Sequence, residues 1–152
     1  MDTITDIFNF LSVEPMLSTS GQPTEAQLSA LANQGYEVIV NLALHDDPRY
    51  SLPNETRFVE SLGMTYIHIP VQFDAPSEND LKFFFNAMAS NKNKKIHLHC
   101  AANMRVTAFL GLYYLIKEGK SKETAFTPMK SIWQPDEIWS SFITSILAKH
   151  AN

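Results

Sequence analysis

The sequence contains little of what defines several classes of protein. Its 152 residues include one cysteine, five glycines and eight prolines. A single cysteine cannot form an internal disulfide, which excludes the disulfide-stapled scaffolds of small secreted proteins and favours a reducing compartment. The low glycine and proline content excludes collagen-like repeats and low-complexity linkers. With 45% hydrophobic residues, the chain is expected to fold as one globular domain over residues 1–152.

An excess of positive charge is also missing. Twelve Lys and Arg residues stand against sixteen Asp and Glu, a formal net charge of −4. Proteins that bind nucleic acids use clustered basic side chains, so we expect no nucleic-acid partner. The longest apolar stretch, residues 108–116, is about half the length needed to cross a bilayer. The first ten residues lack the basic start and apolar run of a secretion signal, so we expect no membrane span and a cytoplasmic protein.

Strand-like and helix-like segments alternate along the chain. Short β-branched and apolar runs predict strands at residues 37–42, 64–69 and 95–99. Capping residues, glycine stops and apolar spacing predict helices at residues 25–34, 54–62, 77–91, 104–118, 122–127 and 136–149. Residues 15–23 look like a turn-rich connection, and residues 45–53 like a long polar loop. The alternation predicts an α/β fold with a mostly parallel central sheet flanked by helices.

Cys100 has a distinctive position in this pattern. It directly follows the third predicted strand and precedes the central helix, and ligands of parallel sheets bind beyond the carboxyl ends of the strands. Unpaired amides at a helix N-terminus favour the thiolate form of a cysteine. The same amides, from Ala101 to Val106, would form a concave nest for a tetrahedral oxyanion. This arrangement suits phosphoryl transfer through a phosphocysteine.

The segment around Cys100 resembles a known signature. The run His99-Cys100-Ala101-Ala102-Asn103-Met104-Arg105-Val106-Thr107 is similar to the loop of the cysteine-dependent protein tyrosine and dual-specificity phosphatases: His-Cys, five residues, Arg, then Ser or Thr. Ser20-Gly21-Gln22-Pro23-Thr24 and residues 38–42 extend the likeness to a bacterial branch, the beta-lactamase-hydrolase-like phosphatases (domain of unknown function 442). The match covers about residues 18–116. It implies a single-domain cysteine-phosphatase fold whose partner is a phosphorylated substrate or phosphate-like anion, with no cofactor.

The resemblance also implies roles for individual residues. Cys100 would attack the phosphorus, Thr107 would donate a hydrogen bond to the departing thiolate, and His99 would bond the loop backbone to hold Cys100 in place. The general acid would come from a preceding loop, where Asp74 is preferred to Asp80, which already has a place at a helix cap. The phosphate-binding residues implied by the family are those of the loop itself: Ala101, Ala102, Asn103, Met104, Arg105 and Val106.

The segment can be aligned with the signature in two registers, which differ in the residue that takes the position of the arginine. With Thr107 aligned, Val106 holds the arginine position and Arg105 falls one residue early. Asn103 stands where the family usually has glycine, and because asparagine tolerates positive φ, it supports an unchanged loop length. This preferred register predicts impaired turnover, since valine cannot form bidentate hydrogen bonds to a phosphate. The alternative is a loop shortened by one residue, with Arg105 in the arginine position.

The leading hypothesis is therefore a cysteine-dependent phosphatase, catalytically compromised by Val106. A second is a non-catalytic module that binds phosphate or phosphoproteins through the same nest, and a third is a thiol-redox sensor. His97 and His99 face the same side of their predicted strand, but no further ligand follows at suitable spacing, so we expect no metal site. The sequence leaves the oligomeric state open.

Overall fold

The computed structural model describes residues 3–150, which form five β-strands, seven α-helices and one 3-10 turn. The strands are β1 (Leu11–Glu14), β2 (Leu17–Ser20), β3 (Val38–Asn41), β4 (Thr65–His68) and β5 (Ile96–His99). The helices are α1 (Glu25–Asn33), α2 (Glu55–Ser61), α3 (Glu78–Ser90), α4 (Met104–Ile116), α5 (Lys122–Ala125), α6 (Thr127–Ile132) and α7 (Glu137–His150). The predicted α/β fold is confirmed.

The order of the strands places three connecting segments over one edge of the sheet. The strands lie in the order β1-β2-β5-β3-β4, and all neighbouring pairs are parallel except β1 with β2. His99 at the end of β5 lies opposite Asn41 at the end of β3, and Asn41 lies opposite His68 at the end of β4. The segments that follow β3, β4 and β5 therefore leave the sheet at the same edge, where ligands of such sheets bind.

A hairpin of β1 and β2 corrects the prediction that residues 15–23 are a turn-rich connection. β2 is a polar strand, yet all four of its residues are buried. The hydroxyls of Ser18 and Ser20 lie 2.6 and 2.7 Å from the two ring nitrogens of His97. Buried polar groups need hydrogen-bond partners, and here the partner is supplied by a strand distant in sequence.

Helix α4 runs through the middle of the fold, as its apolar sequence predicts. Ten of its thirteen residues are buried, including Phe109 and Leu112. Gly111 lets α4 approach the neighbouring helices closely, since a Cβ atom there would lie 2.3 Å from the ring of Phe126. No helix among residues 3–150 is both long and apolar enough to span a membrane. The buried α4 fixes the position of the segment between it and β5, which carries Cys100.

Candidate active site

Cys100 lies at a cavity of about 490 Å³ above the carboxyl edge of the sheet. Cys100 itself has no exposed surface and is part of the main hydrophobic core, while it also lines this cavity. A slightly larger cavity, about 530 Å³, lies among α5, α6 and α7, but its lining has neither cysteine nor arginine. The cavity at Cys100 is lined by the segments after β3, β4 and β5, through Leu44, Asp47, Arg49, Tyr50, Gln72, Phe73, Asp74, Cys100, Ala101, Ala102, Met104 and Arg105.

The segment from Cys100 to Arg105, here called the Cys100 loop, is held by its carbonyl groups. The carbonyl oxygen of Cys100 lies 3.2 Å from Nδ1 of His99, and that of Ala101 accepts a 3.0 Å hydrogen bond from the amide of Gln22. The neighbouring Gly21 lies directly against the loop, since a Cβ atom there would be 2.5 Å from the oxygen of Ala101. The Ser-Gly-Gln-Pro segment singled out in the sequence therefore supports this loop.

The next two carbonyl groups of the loop are bonded in the same way. The oxygen of Ala102 accepts a 3.0 Å hydrogen bond from the side-chain amide of Asn9, and that of Asn103 accepts one of 2.7 Å from the Thr107 hydroxyl. Asn103 has φ of +67°, which confirms the left-handed conformation that its type suggested. Its own side-chain amide donates to the backbone oxygen of Asn9 and to the hydroxyl of Thr19.

Thr107 lies just after the Cys100 loop and bonds its backbone. Its side chain is fully buried and does not line the cavity. The hydroxyl has one proton, and it donates that proton to the carbonyl oxygen of Asn103, with the oxygen of Met104 as a longer second contact. The hydrogen bond from Thr107 to the Cys100 thiolate stays a prediction.

Several backbone amides of the Cys100 loop are free donors, although that of Cys100 itself donates to the oxygen of Ser20. In a trans peptide the C=O and the following N–H point in opposite directions, so carbonyls anchored on the outside of the loop turn the next amides to its inner side. No cis peptide bond occurs among residues 3–150. Within the same residues, no hydrogen bond is donated by the backbone amides of Ala101, Ala102, Met104, Arg105 and Val106. These amides are the donors for which the sequence predicts an oxyanion nest.

Arg105 supplies a fixed positive charge beside this nest. Its side chain is nearly buried, at 5% exposure, and it lines the cavity with Cys100. Nη1 donates a 2.7 Å hydrogen bond to the carbonyl oxygen of Val71, and the guanidinium lies 5.7 and 5.9 Å from the ring centres of Phe73 and Tyr50. Nε is buried without a hydrogen-bond partner among residues 3–150. The Nε–H group of Arg105 is therefore a donor that is not yet used.

Val106 does not occupy the place that the preferred register gave it. Its side chain is fully buried in the main hydrophobic core and does not line the cavity. Helix α4 begins at Met104, directly after the left-handed Asn103. One step along a helix is a rotation of about 100°, so when Arg105 faces the cavity the next side chain turns away from it. The geometry corrects the preferred register and matches the shortened loop.

The two candidate acids lie in different surroundings. Asp74 is exposed, follows β4 and lines the same cavity as Cys100 and Arg105. Asp80 lies in the first turn of α3, where its amide donates to the hydroxyl of Ser77, and it does not line the cavity. Of the two carboxylates, the structure thus brings Asp74 together with the cysteine.

A second carboxylate at the cavity, Asp47, was missed in the polar loop after β3. Arg49 donates to both of its oxygens, from Nε at 2.9 Å and from Nη2 at 2.6 Å. These hydrogen bonds from Arg49 lower the pKa of Asp47 to about 2 and so disfavour the protonated form that a general acid needs. The sequence contained a signal for this loop, because it follows a strand that ends at the same edge as Cys100.

A buried carboxylate, Glu55, lies behind the Cys100 loop. Its Oε2 is 2.6 Å from Nε2 of His99, and its Oε1 accepts a 2.8 Å hydrogen bond from the side-chain amide of Gln22. Burial raises the pKa of Glu55, but the charge and hydrogen bond of His99 and the bond from Gln22 outweigh it and leave this pKa below its usual value. An acidic residue at the start of a helix is common, so no pattern in the sequence indicates this contact.

Comparisons with known proteins agree with this geometry. The family model described as "DSP-PTPase phosphatase fused to NAD+ Kinase" matches residues 6–138. A DUF442 protein of Shewanella putrefaciens CN-32 is 31% identical, with a TM-score of 0.85 and 98% of this chain and 97% of that chain covered. No curated protein matches the chain.

More distant solved structures share the fold. Tk-PTP in its active form has 19% identity and a TM-score of 0.74, covering 93% of this chain and 95% of its own. TpbA of P. aeruginosa in complex with phosphotyrosine has 15% identity and a TM-score of 0.71, covering 100% and 94%. The family model and the Shewanella protein together show that the chain belongs to the DUF442 family, within the superfamily of dual-specificity and protein tyrosine phosphatases.

Proposed function

We propose that the protein is a cysteine-dependent phosphatase that hydrolyses a phosphomonoester through a phosphocysteine. The observation that carries this proposal is one cavity shared by a cysteine, an arginine and a carboxylate: Cys100, Arg105 and Asp74. The same cavity is lined by Ala101, Ala102, Met104 and Arg105, whose backbone amides donate no hydrogen bond among residues 3–150. A nucleophile, a proton donor and a set of anion-binding groups are the parts that this reaction needs.

The chemistry has two steps. The Cys100 thiolate attacks the phosphorus, so that an S–P bond forms while the P–O bond to the leaving group breaks, and Asp74 gives its proton to that leaving oxygen. A water molecule then attacks the phosphocysteine, the S–P bond breaks to release phosphate and the thiolate, and Asp74 takes up the proton. Arg105 and the loop amides hold the phosphoryl oxygens, on which negative charge accumulates in both steps.

The position of Arg105 supports efficient rather than impaired turnover. The expectation of impairment depended on valine in the arginine position, and Val106 lies in the core instead. The non-catalytic binding module depended on the same substitution, so no placement of a residue favours it over the enzyme. A nucleophilic thiol must stay reduced, which supports the cytoplasm as the compartment.

The walls of the cavity suit a phosphorylated aromatic ring. Tyr50 and Phe73 line it together with Leu44 and Met104, which gives it apolar sides above the anion-binding end. An aryl group entering between two aromatic side chains would gain stacking and burial. We therefore propose phosphotyrosine, the ligand in the TpbA structure, as the substrate class, and expect aryl phosphates to be hydrolysed faster than alkyl phosphates.

The proposal is tested by incubating the purified protein with para-nitrophenyl phosphate. We expect hydrolysis above the buffer rate, and we expect Cys100→Ser to abolish it while leaving the melting temperature near that of the wild type. Tungstate, which mimics phosphate, should raise the melting temperature of the wild type. A protein that binds tungstate but hydrolyses nothing above background would contradict the enzyme and support the binding module.

A further inference from the structure

Glu55 is a buried carboxylate for which the proposed reaction has no use. It is 2% exposed, at the first residue of the short helix α2. A charged group is costly to remove from water unless it is paired and hydrogen-bonded. Both of its oxygens are bonded, and both of their partners, His99 and Gln22, also contact the Cys100 loop.

The two contacts of Glu55 lead to two successive carbonyl groups of that loop. Through His99, whose Nδ1 lies 3.2 Å from the oxygen of Cys100, Glu55 reaches the first carbonyl. Through Gln22, whose backbone amide donates to the oxygen of Ala101, it reaches the second. These two carbonyls determine the direction of the amides of Ala101 and Ala102, the first two donors of the nest.

The hydrogen-bond roles in this network are fixed by the acceptors. A carbonyl oxygen can only accept, so Nδ1 of His99 must carry a proton to bond the oxygen of Cys100. Which nitrogen of a histidine carries the proton, and how the ring is turned, is set by the partner of the other nitrogen. Glu55 is that partner, at 2.6 Å from Nε2. Without it, the ring is free to turn or to change tautomer and release the Cys100 carbonyl.

We propose that Glu55 is a positioning residue for the Cys100 loop. It holds His99 and Gln22 so that the first two loop carbonyls stay outward and the first two amides stay directed at the bound anion. The inference rests on the proposed function for its effect on turnover, but its effect on anion affinity can be measured independently of turnover.

Two substitutions at Glu55 separate positioning from charge. In Glu55→Gln, the amide oxygen can accept from Gln22 and the amide nitrogen can donate to Nε2 of His99, whose Nδ1 keeps its proton for the loop. Glu55→Leu has a similar size but removes both bonds. The matched control is Glu14→Gln, which removes a carboxylate bonded to Tyr114 and away from the Cys100 cavity.

The experiment measures tungstate affinity by thermal shift, and kcat and KM with para-nitrophenyl phosphate. We expect Glu14→Gln and Glu55→Gln to bind tungstate as the wild type does, and Glu55→Leu to bind it about tenfold to a hundredfold more weakly, the usual cost of losing a residue that orients a ligand-binding group. The loss should appear in kcat as well. A purely structural role would lower the melting temperature but leave the affinity unchanged.

Three results would overturn the proposal: a folded Glu55→Leu variant with wild-type affinity, a Glu55→Gln variant as weak as Glu55→Leu, or a wild type that binds no tungstate. If Glu55→Leu does not fold, Gln22→Leu decides, since it cuts one of the two links and keeps the backbone amide that bonds Ala101. Weaker binding supports the proposal, and unchanged binding contradicts it. Turnover of the wild type decides the proposed function separately.

Discussion

Arg105 donates a 2.7 Å hydrogen bond from Nη1 to the carbonyl oxygen of Val71. This bond joins the first turn of α4 to the segment after β4 that carries Asp74. It holds one end of the guanidinium, while Nε is buried and has no partner among residues 3–150. The arginine is thus oriented in advance, which lowers the entropic cost of binding an anion.

Loss of this guanidinium should be severe. In Arg105→Met, kcat/KM with para-nitrophenyl phosphate is expected to fall by about 10³–10⁵, the range for a phosphoryl-clamping arginine. Arg57→Met is the matched control, since Arg57 is exposed on α2 and does not line the Cys100 cavity. Steady-state kinetics of both variants measure the effect. A loss below about tenfold would mean that Arg105 does not hold the phosphate in the transition state.

An arginine at position 106 should harm the protein rather than improve it. Val106 is fully buried in the core, so Val106→Arg places an unpaired charge among apolar side chains. We expect the free energy of unfolding to fall by more than about 3 kcal/mol, with no gain in turnover. Urea denaturation and the para-nitrophenyl phosphate assay measure the two quantities. A stable variant with faster turnover would support the longer register instead.

This register shows the limit of local sequence information. The positive φ of Asn103 could be predicted from its residue type, and it is confirmed. That conformation was expected to support an unchanged loop length, but here it occurs together with the shortened loop. What separates the two registers is packing, because Val106 fits the core between the sheet and α4 while Arg105 has a carbonyl partner at Val71, 34 residues earlier in the chain. No local pattern encodes that partner.

The difference between local patterns and contacts distant in sequence also explains which other parts of the fold and the site could be predicted. The strands β3 and β5 were predicted because apolar, β-branched runs reflect burial on both faces, and all four residues of each are buried. A run of the same kind predicted β4, which lies at the edge of the sheet and is less buried. β2 was missed because its serines are satisfied by His97, a partner that only the folded sheet brings near. Asp74 was named as the candidate acid because the resemblance implies an acid from a preceding loop, and it does line the cavity. Glu55 was missed, since nothing near it in sequence indicates that it is buried against His99.

Asp74 and Asp80 should differ in their effect on the pH profile. If Asp74 protonates the leaving group, Asp74→Asn lowers kcat by about 10²–10⁴ and removes the limb on which kcat falls as the pH rises. Asp80→Asn should leave the rate and the profile near those of the wild type, because Asp80 does not line the cavity. The measurement is kcat between pH 4 and 9. The reverse result would assign the acid to Asp80.

Gly21 should be sensitive because the backbone of the Cys100 loop lies against it. A Cβ atom would be 2.5 Å from the oxygen of Ala101, so Gly21→Ala must push the loop out of place. We expect a loss of about 1–3 kcal/mol in stability together with weaker tungstate binding. Gly111→Ala is the matched control: its Cβ would meet Phe126, far from the loop, so it should lose stability and keep tungstate affinity. Equal affinity losses in both variants would contradict this explanation.

The pH dependence of stability should reveal the pairing of Glu55 with His99. The pKa of Glu55 in the folded state is lowered from 4.5, because the interactions with His99 and Gln22 outweigh burial, which acts to raise it. A carboxyl with a depressed folded pKa contributes stability that is present above its unfolded value and is lost as the pH falls through its folded value. Glu55→Gln removes that titration and leaves those of Asp47 and Glu78, whose pKa values are also lowered, in place.

The free energy of unfolding should therefore fall more steeply below pH 4.5 in the wild type than in Glu55→Gln. Above that pH, Glu55 is ionised in both the folded and the unfolded chain. Its titration should therefore no longer change the difference in free energy of unfolding between the two proteins. Urea titrations of both proteins at pH values from 3 to 6 measure the difference directly. Parallel curves throughout would contradict this prediction, because they would mean that folding leaves the proton affinity of Glu55 unchanged.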